Sequence, residues 1–194
     1  MSDTEHTMST LLDRAATRAV AVVDGIGDEQ LGLPTPCAEY DVRALVDHLT
    51  QVVVNFQALA AKGTTDFSAT PAYVREDADW RALFAAETGK LCAAWAAPGA
   101  EEGTTGQMGL PARTVAAMVL GDVVVHAWDL ARATGQDFAV DPEVVQGLSG
   151  EVEQMAPMAR KTGVFGEPFP LPDGASGFDR VLATTGRDPE WLPA

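Results

Sequence analysis

The chain has 194 residues, of which 46% are hydrophobic, and this is enough for a core that needs no disulfide framework. Its formal net charge of −15 argues against nucleic acid and anionic membrane surfaces as partners, because both repel an acidic protein. The N-terminus has no basic, apolar leader, and no run approaches the roughly 20 apolar residues of a membrane span. We therefore expect one cytoplasmic domain over 1–194.

Apolar residues recur at intervals of three and four along most of the chain, which predicts an all-α fold. The predicted helices cover about 7–25, 42–61, 77–97 and 111–134. Asp41 suits the N-cap of the second helix, Pro111 suits the first position of the fourth, and Gly135 suits a left-handed stop behind it. Long helices joined by short connections are typical of an antiparallel four-helix bundle.

The sequence after residue 135 predicts an extra helix and an irregular tail. Asp141 and Pro142 open a fifth helix, which ends near Lys161. Residues 162–194 are rich in Gly and Pro, and we expect one short helix among them, with Ser176 as its N-cap, and an extended path over the bundle for the rest. Earlier in the chain, "GAEEGTTGQMGL" is either a loop or a short hairpin.

The segment "GDVVVHAWDLARATGQ", residues 121–136, carries the candidate site. Its three valines favour a strand locally, but its length and the spacing of its charged residues favour a helix. On a helix, Asp122, His126 and Asp129 fall within an arc of about 60°. The neighbouring valines place this face in the core, where a carboxylate requires a cation, strong hydrogen-bond donors or a metal.

The second helix supplies a matching imidazole. His48 shares a face with Leu45 and Leu49, so it is expected to point into the core. Two imidazoles and a carboxylate are a ligand set for a borderline divalent metal such as zinc, with a fourth position open. The third histidine, His6, has no such context. The competing interpretation is a core histidine and aspartate that hydrogen-bond to each other without any metal.

Several neighbouring residues have roles that the sequence leaves open. Asp129 either orients His126, accepts a proton, or pairs with Arg132 or another arginine. Asp47 is expected to face solvent. Cys37 lies in a loop between prolines and either approaches the site or is an inert buried thiol. No GxSxG, CxxC or HExxH motif is present.

The segments "PTPCAEYDVRALVDHL" and "GDVVVHAWDLARATGQ" together resemble the DinB-like metal-binding superfamily. They resemble most closely the N-terminal domain family of the mycothiol-dependent maleylpyruvate isomerases of actinobacteria. The ending "GVFGEPFPLPDGASGFDRVLATTGRDPEW" is similar to that of short, stand-alone members. The resemblance covers nearly the whole chain.

This resemblance implies a four-helix bundle that holds zinc or nickel through His48, Asp122 and His126. The family's acid is glutamate where this chain has Asp122, so whether Asp122 or Asp129 supplies the carboxylate stays open. The isomerase also has a C-terminal domain that contributes to its substrate site, and 194 residues leave no room for one. The resemblance therefore supports a metal site better than it supports maleylpyruvate isomerisation.

The expected function is a divalent-metal-binding protein that acts as a thiol-dependent transferase or isomerase. Mycothiol or a similar low-molecular-weight thiol would attack a small electrophilic molecule, so the expected partners are that thiol and that substrate. One alternative is a non-catalytic metal-binding or stress-related binding module. Another is a helical interaction protein whose polar core is only structural. A homodimer is compatible with either function.

Overall fold

The computed structural model describes residues 7–107 and 109–193, and within them six α-helices carry most of the regular structure. The helices are α1 (Met8–Asp24), α2 (Val42–Ala60), α3 (Trp80–Trp95), α4 (Ala112–Thr134), α5 (Pro142–Lys161) and α6 (Gly177–Thr184). A short 3-10 helix, Asp28–Gln30, follows α1, and a two-stranded hairpin, β1 (Thr104–Thr105) and β2 (Leu110–Pro111), precedes α4. The all-α prediction is confirmed, whereas His6 lies outside the described residues.

The helix ends follow the capping chemistry that the sequence indicates. The Asp41 carboxylate accepts the backbone N–H of Ala44 at 2.8 Å and opens α2. Ser176 and Asp179 bond each other's backbone N–H groups in a capping box at the start of α6. Gly135, with φ of 70°, ends α4 in the left-handed conformation. Local side-chain chemistry therefore sets these boundaries.

Two predicted helix starts are wrong. α3 begins at Trp80, three residues later than expected, because the Asp79 carboxylate caps its first turn. Pro111 is not the first residue of α4, because pairing in β2 holds its backbone extended, and the helix starts at Ala112. The hairpin, one of the two alternatives for 99–110, is the structure that forms.

Helices α1 to α4 form a ring in which α1 and α2 stand on opposite corners. Each of these two packs mainly against α3 and α4. The connections 25–41 and 96–111 therefore cross the bundle from corner to corner. α5 packs against α1 and α4, and α6 packs against α5. This order puts the helix of His48 beside the helix of His126.

α4 is the core helix of the bundle. It is long and apolar enough to cross a membrane by length and composition, but 83% of that window is buried inside the protein. Its buried residues contact α1, α2 and α5. A helix that is apolar all round is expected at the centre of a helical protein. The polar groups on α4 therefore need partners from other elements.

The C-terminal tail packs against the bundle again after a largely exposed segment. Residues 166–169 run beside the end of α6, where Gly166 donates to the Thr185 carbonyl and Phe169 donates to the Ala183 carbonyl. Gly186 follows with φ of 88°, and a Cβ at this position would lie 2.8 Å from the Gly166 Cα. This close approach fixes the turn that leads into Arg187.

We predict that Gly186→Ala lowers the free energy of unfolding by about 2–4 kcal/mol, since it adds left-handed strain and a backbone clash. Gly174→Ala is the matched control, because Gly174 has φ of 85° but nothing within 4 Å of an added Cβ. The control should cost about 1 kcal/mol. Urea unfolding measures both, and equal losses would contradict the close approach.

Candidate metal centre

The candidate site lies between α2 and α4, which pack side by side. α4 carries Asp122, His126 and Asp129 at helical spacing, as the sequence predicts. His126 is 7% exposed and Asp129 is 0% exposed, whereas Asp122 is half-buried. His126 and Asp129 therefore depend on partners within the protein for their hydrogen bonds.

Asp129 is bound by two side chains. Its Oδ2 atom lies 3.0 Å from His126 Nδ1 and 3.1 Å from Arg187 Nη2, and its Oδ1 atom lies 3.4 Å from Arg187 Nε. A carboxylate paired with a guanidinium only accepts, so Nδ1 of His126 carries a proton and donates it to Asp129, while Nε2 has no hydrogen-bond partner among the described residues. Asp129 thus orients His126 and pairs with an arginine at the same time.

Arg187 is the arginine of this site, although no sequence pattern pointed to it. It follows α6, its side chain is 10% exposed, and its Nη1 atom donates to the Thr185 carbonyl at 3.1 Å. Arg132, which the sequence offered as a partner for Asp129, donates instead to the Trp191 carbonyl. A lone cation in a Gly- and Pro-rich tail has no periodicity that would place it in the core.

His48 reaches the same space from α2. Its ring centroid lies 5.1 Å from that of His126 in an edge-to-face arrangement, and 5.0 Å from that of Tyr40 in a stacked one. Burial lowers the pKa of His48 to about 4, and the charges of His126 and Arg187 act in the same direction. His48 is therefore neutral near pH 7.

The Asp122 carboxylate has no hydrogen bond or ion pair with any of residues 7–107 and 109–193. Burial raises the pKa of Asp122, while the charges of His126 and Arg187 lower it. Asp122 precedes His126 by one turn on the same face of α4. Its oxygens are thus available to a cation on this side of the helix.

Cys37 is also part of the site. In the described part of the chain, the donor atoms that lie within 4.8 Å of one another are those of Cys37, His126 and Asp129. The donor atoms of the predicted set, His48, Asp122 and His126, do not all lie within 4.8 Å of one another. The structure thus brings the two imidazoles together and leaves Asp122 one turn away. Of the two interpretations of Cys37, the one in which it approaches the site is the one that the structure supports.

Asp47 does not face solvent as expected. It is half-buried, and its Oδ1 atom accepts the backbone N–H groups of Tyr73 and Val74, both at 2.7 Å. The reason is the path of the connection between α2 and α3, which folds back over α2 and needs an acceptor for its N–H groups. Asp47 therefore anchors a loop rather than contributing to the site.

The chemistry of the site fits a divalent metal. The ring nitrogens of His48 have no hydrogen-bond partner among the described residues, His126 keeps Nε2 free, and Asp122 has no ion pair there. Neutral imidazoles and a carboxylate are ligands that zinc and its neighbours accept. A carboxylate on the remaining nitrogen, as Asp129 provides for His126, is usual for a metal-ligating histidine.

A sequence model of the family described as the mycothiol maleylpyruvate isomerase N-terminal domain matches residues 12–131. The match runs from α1 to near the end of α4 and includes both imidazoles of the site. The chain belongs to this family. Arg187 lies beyond the residues matched by the family model, so the tail adds a cation to a site whose other groups lie within the shared domain.

Two proteins of Mycobacterium tuberculosis are similar to this family member over nearly their whole length. Uncharacterized protein MT0763 of strain CDC 1551 / Oshkosh and uncharacterized protein Rv0738 of strain H37Rv are each 32% identical over 187 residues, covering 90% of this chain and 94% of theirs. The crystal structure of the mycothiol-dependent maleylpyruvate isomerase matches with a TM-score of 0.55 and 19% identity, over 82% of this chain and 72% of that one. At this identity the match establishes the fold alone, and it confirms the prediction of an all-α helical bundle.

The lowered pKa of His48 predicts a pH dependence of stability in the metal-free protein. His48 is harder to protonate in the folded protein than in the unfolded chain. Its contribution to the free energy of unfolding is therefore complete above pH 6.5 and is lost as the pH falls toward 4. We expect the wild type to lose about 2 kcal/mol more than His48→Gln between about pH 7 and pH 5. Urea unfolding at the two pH values measures this, and parallel losses in both proteins would contradict the lowered pKa.

Proposed function

We propose that this protein binds one divalent metal ion through His48, Asp122 and His126 and uses a mycothiol-type thiol to transform a small electrophilic molecule. Zinc is the proposed metal, and nickel is the alternative. The observation that carries the proposal is the edge-to-face pair of imidazoles, whose centroids are 5.1 Å apart. Histidines with a purely structural role in a core find hydrogen-bond partners, and His48 has none among the described residues.

The protein's own groups prepare the site for a divalent metal. Asp129 holds His126 through Nδ1, which leaves Nε2 for the metal. His48 is neutral at physiological pH because of its lowered pKa, so its lone pair is also available. When bound, the metal supplies a Lewis acid that keeps an exogenous thiol in its thiolate form. Arg187 lies beside the site and stabilises the Asp129 carboxylate that orients His126.

The proposed reaction class is attack of the thiolate on the electrophile, leading either to transfer or to isomerisation. The thiol is proposed from the family, whose description names mycothiol. The proposed location is the cytoplasm, where a reducing environment keeps Cys37 and Cys92 as free thiols. The proposed partners are the thiol and the small substrate.

We predict that Asp122→Asn weakens zinc binding more than Asp129→Asn does. Loss of a carboxylate that orients a ligand histidine lowers metal affinity about 10–100-fold, whereas loss of a direct ligand removes a metal bond. Asp122→Glu restores the charge and should bind better than Asp122→Asn. Zinc titration against a chromophoric competitor ranks the three variants. If Asp129→Asn is the most damaging, the two aspartates exchange roles.

We predict thiol-dependent turnover by the zinc-loaded protein. Mycothiol and a panel of small electrophiles, including maleylpyruvate, should react faster with wild type than with His126→Ala, which lacks the proposed ligand. Product formation is followed by mass spectrometry with the thiol present and absent. Stoichiometric metal binding without any thiol-dependent product would support the non-catalytic metal-binding module instead.

A further inference from the structure

The two imidazoles of the site are held in different ways. His126 Nδ1 lies 3.0 Å from the Asp129 carboxylate, and this hydrogen bond fixes the rotation of the His126 ring. The His48 ring has no hydrogen-bond partner among the described residues. The torsion that turns an imidazole about its Cβ–Cγ bond is broad and roughly two-fold, so a ring without such a partner needs another contact to fix its plane.

The Tyr40 ring supplies that contact for His48. The two ring centroids lie 5.0 Å apart, and the angle between the ring planes is 17°. Since atoms in contact are about 3.5–4.0 Å apart, the two rings are displaced sideways, which is the offset stack that aromatic groups prefer. A stack covers one face of the imidazole and leaves its edge clear, where both ring nitrogens lie.

The His126 ring restricts His48 in a second direction. The planes of the two imidazoles are at 90°, whereas Tyr40 and His48 are nearly parallel. A rotation of the His48 ring about its Cβ–Cγ bond would therefore break both contacts at once. A metal binds an imidazole through the lone pair of a ring nitrogen, which lies in the ring plane. The plane of His48 thus limits the positions that a metal can take between α2 and α4.

The backbone of the loop before α2 keeps Tyr40 in place. The Tyr40 N–H donates to the Cys37 carbonyl at 2.9 Å, and the buried Thr35 hydroxyl lies 2.8 Å from the Tyr40 carbonyl. A bridge between Pro34 and Asp41 closes the loop, and Asp41 is the N-cap of α2. Tyr40 is therefore attached to the first turn of the helix that carries the stacked imidazole.

We propose that Tyr40 is a positioning residue of the metal centre, whose ring holds the imidazole of His48 in the orientation in which it binds the metal. This inference rests on the proposed function. Tyr40 acts through His48 and touches neither the metal nor the substrate. The Tyr40 hydroxyl has no hydrogen-bond partner in residues 7–107 and 109–193. The ring carries the role, and the hydroxyl is dispensable for it.

Zinc titration against a chromophoric competitor tests the role of the ring. Tyr40→Leu should bind zinc about 2–10-fold more weakly than the wild type, because it loses an aromatic pair. Tyr40→Phe keeps the ring and should bind as the wild type does. Tyr73→Leu is the matched control, because it removes the other tyrosine, which bonds to Gln51 of α2. Its zinc affinity should not change.

The outcomes of this titration separate the inference from the proposed function. Unchanged zinc affinity in Tyr40→Leu, an equal loss in Tyr40→Phe, or an equal loss in Tyr73→Leu overturns the positioning role and leaves the proposed function standing. The equal loss in Tyr40→Phe would assign the effect to the hydroxyl, and the loss in Tyr73→Leu would assign it to general packing. Failure of the wild type to bind zinc overturns both.

The stack itself is measured in the metal-free protein by NMR of the histidine ring protons at pH 7 or above, where His48 is neutral. Ring protons of His48 that lie over the Tyr40 face are shielded by its ring current, so they should resonate upfield of their positions in Tyr40→Leu. Tyr40→Phe should keep the upfield shift, and His48→Gln assigns the signals. Equal His48 shifts in the wild type and Tyr40→Leu would show that the rings do not stack, and this overturns the inference.

Discussion

The buried carboxylate of Asp129 is the constraint on which the site depends. An unpaired anion in the core costs several kcal/mol, so the chain must bring a cation to it. That cation is Arg187, which enters from the tail and is itself nearly buried. Because Asp129 also accepts from His126 Nδ1, the same ion pair sets the tautomer of the imidazole. The ion pair between Arg187 and Asp129 therefore ties the C-terminal tail to α4.

Three kinds of structural element contribute to the site, and they contribute different chemistry. The helices α2 and α4 carry the imidazoles and Asp122, where a rigid backbone keeps their spacing. The loop before α2 carries Cys37 and Tyr40, and the tail carries Arg187. Sites built on helices hold geometry better than sites on loops. The core helices therefore set the spacing of the imidazoles, whereas the loop and the tail place the thiol and the guanidinium.

The sequence predicted the helices and the meeting of His48 with His126, because periodicity and capping residues are local signals. Asp41 and Gly135, for instance, act at their own helix ends. The positions of Arg187 and Cys37 follow from the paths of a tail and a loop, and such paths have no periodic signal. Asp47 was misassigned for the same reason, since its partners are backbone N–H groups of a distant loop.

The corner-to-corner order of the bundle has a consequence for folding kinetics. His48 and His126 meet only after the chain has crossed the bundle between α3 and α4, so their contact spans a long stretch of sequence. Contacts of this kind close late, because the entropy of a large loop is lost before they form. A metal ion bound between α2 and α4 would then not yet be bound in the folding transition state. It would slow unfolding while leaving the folding rate nearly unchanged, and so act as a kinetic lock on the native bundle.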